Sequence, residues 1–375
     1  MSEQDFGAPD PNERFSWLDR RARSLVARAL GSLREGQLIV ADALGEQRFG
    51  TSSEEFPITA RLEVREPAVY RRTLWGGSVG AGESYMDGDW VCSDLSALFR
   101  IMARNQETLR SMERHGWAVR SARRLAHALR ANSLHGSRRN IAAHYDLGNS
   151  FFELFLDASL TYSSAVFENE NATMEEAQIA KYDRICHKLE LGPEDEVLEI
   201  GTGWGGFALR AAGHFGCKVT TATVSRQQFE RARERVADAG LAERVRVIFE
   251  DYRRLRGRFD KLVSIEMIEA VGHRYLERYF RACSERLKPH GMMLVQAITV
   301  PDQRYERSRR GVDFTKAYIF PGGQVPSLHA MLSATRRVTD LRMIHLEEIG
   351  AHYAETLRRW REKFYKNLER VRELG

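Results

Sequence analysis

EVLEIGTGWGGF, residues 196–207, is the stretch that decides the fold. Val197, Leu198 and Ile200 begin it as a buried strand, and Gly201, Gly203, Gly205 and Gly206 crowd the turn that follows. A helical pattern then runs over 207–215. Glycine has no Cβ and tolerates positive φ, so the backbone at the end of such a strand can pass close to a ligand. The amino terminus of the next helix leaves free N–H groups facing the same space. Glu199 just before the turn, and an acidic end to a later strand at Asp251, favour a nucleoside ligand over an empty tight turn.

Downstream the pattern keeps alternating. Strands are expected at 196–200, 218–224, 245–251, 261–267 and 292–299, with helices between them that include 226–239 and 274–287. Such alternation builds a mostly parallel, Rossmann-like sheet with helices on both faces, and ligands bind beyond the carboxyl ends of its strands. The last stretch, 355–374, reads as one amphipathic helix with Leu357, Trp360, Phe364, Leu368 and Val371 on a packing stripe.

Upstream the composition changes. Residues 1–14 are polar and acidic, with Gly7, Pro9 and Pro11, and read as disordered. Residues 15–106 read as a small α+β module: a helix near 17–33, short strands at 37–41 and 58–64, and a helix after Asp94, which is placed to cap it. Between them WGGSVGAGESYMDGDW, 75–90, carries five glycines and is expected to form turns or a loop against a strand. Residues 107–139 read as a basic helical linker, with Ala118, Ala122, Leu125 and Leu129 at helical spacing. Arg110, Arg114, Arg120, Arg123, Arg124, Arg130 and Arg138 oppose only Glu107 and Glu113 there, so an anionic partner such as a phospholipid surface is expected. The catalytic domain is expected over 140–375.

With 375 residues, 43% hydrophobic and 29% charged, the chain can hold two packed domains, and its formal net charge is +5. Cys92, Cys186, Cys217 and Cys283 lack any metal-ligand spacing, so neither a metal site nor a disulfide framework is indicated. No apolar run approaches the roughly 18 residues of a membrane span, and the amino terminus has no apolar signal core. A cytoplasmic protein with at most peripheral contact to the inner membrane face is the expectation.

Three further segments carry chemistry. HYDLGNSFFELFLDASLTYSSAVF, 144–167, combines aromatics with the hydroxyls of Tyr162, Ser163 and Ser164, a cluster suited to binding a carboxylate. SIEMIEAVGH, 264–273, sets Glu266 and Glu269 in an apolar run, where a buried carboxylate is costly unless paired or used. DFTKAYIFPGGQVPS, 313–327, and GAHYAETLRRWREKF, 350–364, follow. Together YDLGN (145–149), FFELFLD (151–157), TYSSAVF (161–167), VLEIGTGWGG (197–206), DYRRL (251–255), SIEMIEAVG (264–272), DF and KAYIFPGG (within 313–323) and HYAETLRRW (352–360) resemble the cyclopropane-fatty-acyl-phospholipid synthase family of S-adenosylmethionine-dependent methyltransferases. The resemblance covers 140–375, and GESYMDGDW (82–90) resembles the family's amino-terminal module.

The resemblance implies a site residue by residue. Gly201, Gly203 and Gly205 would lie beside the methionine part of S-adenosylmethionine, with Tyr162 and Ser163 at its carboxylate and amino end. Val224 and Gln228 match contacts to the ribose and adenosine. The acid usual at that strand end is absent, leaving Gln228 in its place, and Asp251 would sit by the adenine. A bicarbonate ion, the family's base, would be held by Ser164, Glu269, Gln296, the Ile298 backbone and Tyr353. Position 164 is usually cysteine, 296 often histidine, and Ala270 replaces a histidine. Tyr145, Phe167 and Tyr318 are aromatics that could face a carbocation. The implied reaction adds a methylene unit to the cis double bond of phospholipid acyl chains at a membrane surface. Loss of a different proton would give a methyl- or methylene-branched chain, and a lipid-binding protein with a decayed site is the non-enzymatic alternative. No nucleic-acid substrate is expected, because no base pocket or stacking motif accompanies the arginines. A homodimer is compatible with the sequence.

Overall fold

The computed structural model describes residues 15–106 and 148–374. The expectations for the amino-terminal 14 residues, for the basic linker and for Tyr145 lie outside the described residues. The chain divides into two compact units, and Gly311–Tyr318 groups with the first of them although it follows most of the second in sequence.

In the first unit, α1 (Trp17–Leu30), β1 (Gln37–Asp42), β2 (Gly45–Phe49), β3 (Thr59–Val64), α2 (Ala68–Met86), β4 (Trp90–Cys92) and α3 (Leu95–Arg104) follow in order. The sheet order is β2-β1-β3-β4, with β1 and β3 parallel and the outer strands antiparallel. Leu38 and Val40 alternate inward from β1 and pack with Val26 and Leu30 of α1, Leu74 of α2 and Ile101 of α3. Asp94 caps α3 as expected, accepting from the backbone N–H groups of Ser96 and Ala97.

The glycine-rich stretch departs from expectation. Most of it is helix α2, interrupted at Gly77, where φ is 60° and ψ −143°. Two of its glycines serve close packing rather than turns. A Cβ on Gly80 would stand 2.0 Å from the Arg72 carbonyl oxygen, and one on Gly82 would stand 2.3 Å from the Phe314 ring. Composition alone does not separate a glycine that bends the chain from one that lets another segment approach.

The second unit carries α4 (Asn149–Glu153), α5 (Met174–Lys188), β5 (Glu196–Ile200), α6 (Gly206–His214), β6 (Lys218–Thr223), α7 (Arg226–Asp238), β7 (Val245–Phe249), β8 (Phe259–Ile265), α8 (Leu276–Glu285), β9 (Leu287–Gln296), α9 (Asp302–Arg310), α10 (Leu328–Val338), α11 (Gly350–Lys366) and α12 (Leu368–Glu373). Its five strands are all parallel, in the order β7-β6-β5-β8-β9. This is the doubly wound α/β sheet anticipated from the alternation. The chain runs outward from β5 through β6 to β7, then returns to the other side of β5 for β8. The crevice at that reversal is where such sheets take ligands.

Val197 and Leu198 of β5 are wholly buried, one toward Phe207, Ala208 and Ala211 of α6, the other toward Leu262, Ile268 and Tyr279. A strand covered on both faces reads as a continuous apolar run. The carboxyl-terminal helix is two helices, because α11 ends at Asn367, whose side chain donates to the carbonyls of Leu154 and Lys363. On the expected packing stripe Trp360 is buried but Leu357 is 46% exposed, so the stripe is narrower than its spacing implied.

Candidate active site

The site is built along the carboxyl edge of the sheet in the second unit. At the end of β5, Gly201, Gly203 and Gly205 have φ of 102°, 52° and 86°, all in the region that favours glycine. A Cβ on Gly203 would meet nothing within 4 Å, so open space lies before this turn. Glu199 is 2% exposed, and its Oε2 has no hydrogen-bond partner; burial pushes its carboxyl up to about 8. Open space beside the glycines and an unspent buried carboxyl oxygen at one strand end fit the amino-acid end of a nucleoside ligand.

Neighbouring strand ends supply the rest. Val224 follows β6, and Gln228 of α7 is buried, its Oε1 accepting from the Thr223 hydroxyl at 2.9 Å. Asp251 follows β7, and its carboxylate is spanned by Arg253, with Nε 2.7 Å from Oδ1 and a terminal nitrogen 2.6 Å from Oδ2. Both side chains are almost fully buried. Asp251 thus stands just past the end of β7, but its oxygens are engaged in an ion pair that the sequence reading did not foresee.

On the other side of β5 the carboxyl ends of β8 and β9 converge with the hydroxyl cluster. Glu266 has φ of 46°, and its backbone N–H donates to the Gln296 carbonyl at 2.8 Å, tying the two strand ends together. Its Oε1 accepts from the Ser164 backbone N–H at 2.8 Å and from Gln296 Nε2 at 2.9 Å. Gln296 Nε2 also donates to the Ser164 carbonyl at 3.2 Å. Glu269 Oε1 accepts from the Ile298 backbone N–H at 2.5 Å, while Glu269 Oε2 is buried without a partner. Each glutamate keeps part of its stem at the surface, but enclosure of the head group, aided at Glu269 by the charge of Glu266, raises both carboxyls, Glu269 to about 8. Tyr353 of α11 lies within electrostatic reach of both glutamates, and its hydroxyl is raised first by burial and then by their charge.

The five residues expected around an anion thus fall in one neighbourhood, organised by Glu266, a residue flagged in the sequence only as a buried carboxylate and given no role. The groups fit an ion unevenly. Glu269 keeps a spare oxygen, whereas the Gln296 amide and the Ile298 N–H are spent on the two glutamates.

The hydroxyl cluster itself is held from three sides. Tyr162 stacks on Trp360 of α11 at 5.3 Å between ring centres, with Phe152 edge-on at 5.4 Å. The Ala165 backbone N–H donates to Thr356 Oγ1 of α11 at 3.1 Å. Ser163 is gripped by α5: Gln178 Nε2 donates to its carbonyl at 3.0 Å and Lys181 Nζ to its Oγ at 2.7 Å. Lys181, 1% exposed, is a second residue the sequence reading passed over. Ala177, Lys181 and Ile185 recur at intervals of four on the buried face of α5, so a lysine in that series was the available signal.

Two of the aromatics offered for a carbocation are otherwise occupied. Arg359 lies over the Phe167 ring at 4.7 Å, so a cation already covers that face. Tyr318 belongs to the first unit, where its hydroxyl donates to Glu83 and its ring stacks on Phe314. All four cysteines are free, and no cluster that could hold a metal ion occurs among the described residues.

A doubly wound sheet with a glycine turn and buried acids at its carboxyl edge fits a nucleoside ligand, and comparison with known proteins gives the class. The family model for mycolic acid cyclopropane synthetase matches residues 132–375. A tuberculostearic acid methyltransferase of Mycobacterium tuberculosis is 39% identical over 327 residues, 85% of this chain and 76% of that protein. The cyclopropane-fatty-acyl-phospholipid synthase of Escherichia coli is 35% identical over 308 residues, 81% of this chain and 76% of that one. A mycolic acid cyclopropane synthase solved with SAH and CTAB superposes with a TM-score of 0.59 at 31% identity, covering 64% of this chain and 86% of the other. The chain is an S-adenosylmethionine-dependent methyltransferase. It belongs to the mycolic acid cyclopropane synthetase family, whose members modify lipids.

Proposed function

We propose that this enzyme transfers a one-carbon unit from S-adenosylmethionine to the cis double bond of unsaturated phospholipid acyl chains and closes it to a cyclopropane. The observation that carries the reading is the unpartnered, buried Oε2 of Glu269, set among Ser164, Gln296, Ile298 and Tyr353 next to the glycine turn. Gly201, Gly203, Gly205, Tyr162, Ser163, Val224 and Gln228 would hold the cofactor, with Asp251 beside them, and the cofactor supplies an electrophilic methyl. Ser164, Glu269 through its spare oxygen and Tyr353 would hold bicarbonate, with Gln296 and the Ile298 N–H joining only by giving up their bonds to the two glutamates.

An alkene is a weak nucleophile, and its methylation leaves a carbocation on the chain. Losing a proton from the new methyl closes the three-membered ring. Glu269 and Tyr353 would position bicarbonate as the base that takes that proton. The apolar packing of Phe152, Phe155, Tyr162 and Trp360 beside the site keeps water away from a cation that water would trap as an alcohol.

A second reading, loss of a different proton to give a methyl- or methylene-branched chain, is favoured by one feature. The Gln296 amide is directed at Glu266 and the Ser164 carbonyl, so the acceptor that decides which proton leaves is arranged around two carboxylates. Expression in a host lacking such enzymes, followed by mass and NMR analysis of its lipids, tests both. Ring protons at the former double bond support the first reading and branched chains the second. Unaltered unsaturated chains would overturn both.

The enzyme would work at the inner membrane face. No described helix is long and apolar enough to cross a membrane, and the arginine-rich residues 110–138, with the exposed Trp17 and Phe99 of the first unit, are the features suited to a lipid surface.

A further inference from the structure

Lys181 is a charged group in a place that ordinarily excludes one. It stands in the middle of α5, whose first turn is fixed by a capping box between Thr173 and Glu176, and it is 1% exposed. Burial of an ammonium group is costly and is tolerated where the charge is used or matched. Three carboxylates surround it, Glu266, Asp157 and Glu199, and the Tyr182 ring lies 4.5 Å from its Nζ. The one hydrogen bond that its ammonium makes among the described residues is to Ser163 Oγ, at 2.7 Å.

The chemistry of that bond has a direction. Burial pulls Lys181 down to about 7, the nearby carboxylates opposing it; in its ammonium form it only donates, so Ser163 Oγ must accept, and the serine hydrogen is left to be donated elsewhere. No acceptor for it occurs among the described residues. The Ser163 backbone is held in place, its carbonyl by Gln178 and the next residue's N–H by Glu266, and the bond from Lys181 is what fixes its hydroxyl. A hydroxyl that accepts from a cation is a stronger donor in its turn. Its best partner is an anion, and Glu199, with an unpartnered oxygen of its own, is already close enough to Lys181 to feel its charge.

We propose that Lys181 is a positioning residue for the cofactor's methionine carboxylate, acting through the Ser163 hydroxyl, which it locks as a donor. The same ammonium offsets the charge of Glu199 and Glu266, so that an anionic group can enter a site lined by acids. This rests on the reading that Tyr162 and Ser163 face the amino-acid end of S-adenosylmethionine.

Calorimetry with two ligands separates that role from a structural one: S-adenosylhomocysteine, which carries the carboxylate, and 5′-methylthioadenosine, which has the same thioether nucleoside without the amino-acid end. In Lys181→Met and in Ser163→Ala, affinity for S-adenosylhomocysteine is expected to fall by roughly tenfold or more, the scale of a charge-assisted hydrogen bond. Affinity for 5′-methylthioadenosine should be unchanged, and Ser163→Thr, which keeps the hydroxyl, should keep the wild-type preference. If Lys181→Met does not fold, the serine pair carries the test. Wild-type affinity for S-adenosylhomocysteine in Ser163→Ala, or an equal loss of both ligands, would overturn the proposal. A wild-type protein that binds neither ligand would instead withdraw the cofactor placement, and the proposal with it.

Discussion

Glu269 and Glu266 sit three residues apart on a short turn after β8, and their carboxylates do different work. Glu266 has its Oε1 committed to Ser164 and Gln296, whereas Glu269 keeps one oxygen free. Replacing Glu269 with Gln should lower turnover by about 10²–10⁴-fold, the usual contribution of a general base, with little change in S-adenosylhomocysteine affinity. Assays in bicarbonate-depleted buffer, with and without added bicarbonate, check whether an ion shares the task. Activity that ignores bicarbonate together with a fully active Glu269→Gln would transfer the role to another acceptor and favour the branching reaction. Ser164→Cys should preserve activity, since its backbone N–H, the group Glu266 uses, is unchanged.

A stability consequence follows from the same carboxyl. Its pKa rises from the ordinary 4.5 to about 8 on folding, so the folded state binds this proton more tightly than the unfolded one. That contribution is complete below about pH 4.5 and is lost as the pH climbs to about 8. Glu269→Gln abolishes the loss. Its melting temperature should therefore rise relative to wild type as the pH increases across that window, and then level off. A constant difference in thermal melts from pH 5 to pH 9 would contradict the assignment.

At the scale of elements, the turn from β5 into α6 and the helix α2 show two uses of glycine. In the turn, Gly203 combines positive φ with open space, so a side chain there meets the ligand rather than the protein. Gly203→Val should abolish S-adenosylhomocysteine binding in calorimetry and, through backbone strain of about 1–2 kcal/mol, lower stability modestly. Wild-type affinity in a folded variant would remove the cofactor from this turn. In α2, Gly80 and Gly82 meet backbone and ring atoms at distances no Cβ survives. The local sequence WGGSVGAGESYM is rich in glycine in either case. What separates the two uses is whether another segment arrives, and Phe314 arrives from more than 200 residues away.

For the whole molecule, the sheet order β7-β6-β5-β8-β9 puts Val224, Gln228 and Asp251 at strand ends on one side of β5 and Glu266, Glu269 and Gln296 at strand ends on the other. Attraction to an anionic lipid surface is worth about 1 kcal/mol per basic residue and is screened by salt. Vesicle sedimentation should accordingly show preference for anionic over neutral lipid and loss of binding at high salt. Equal binding to neutral vesicles, indifferent to salt, would remove the arginine-rich stretch from the account.

The sequence by itself determined the class of fold and named the candidate residues that the structure brings together. Period and composition are local properties, and they located β5 at its observed ends and β6, β7 and β8 to within about two residues, whereas β9 begins well before its expected start. The motifs carried Ser164, Glu269, Gln296, Ile298 and Tyr353 to one neighbourhood. Tertiary structure alone decided how those groups are spent. Asp251 is taken up by Arg253, Phe167 by Arg359 and the Gln296 amide by Glu266, and Lys181 is buried against Ser163. Each of these depends on which charged side chains the fold brings within about 3–5 Å of one another, where Coulomb energy and desolvation are both large. Spacing along a chain does not encode that distance.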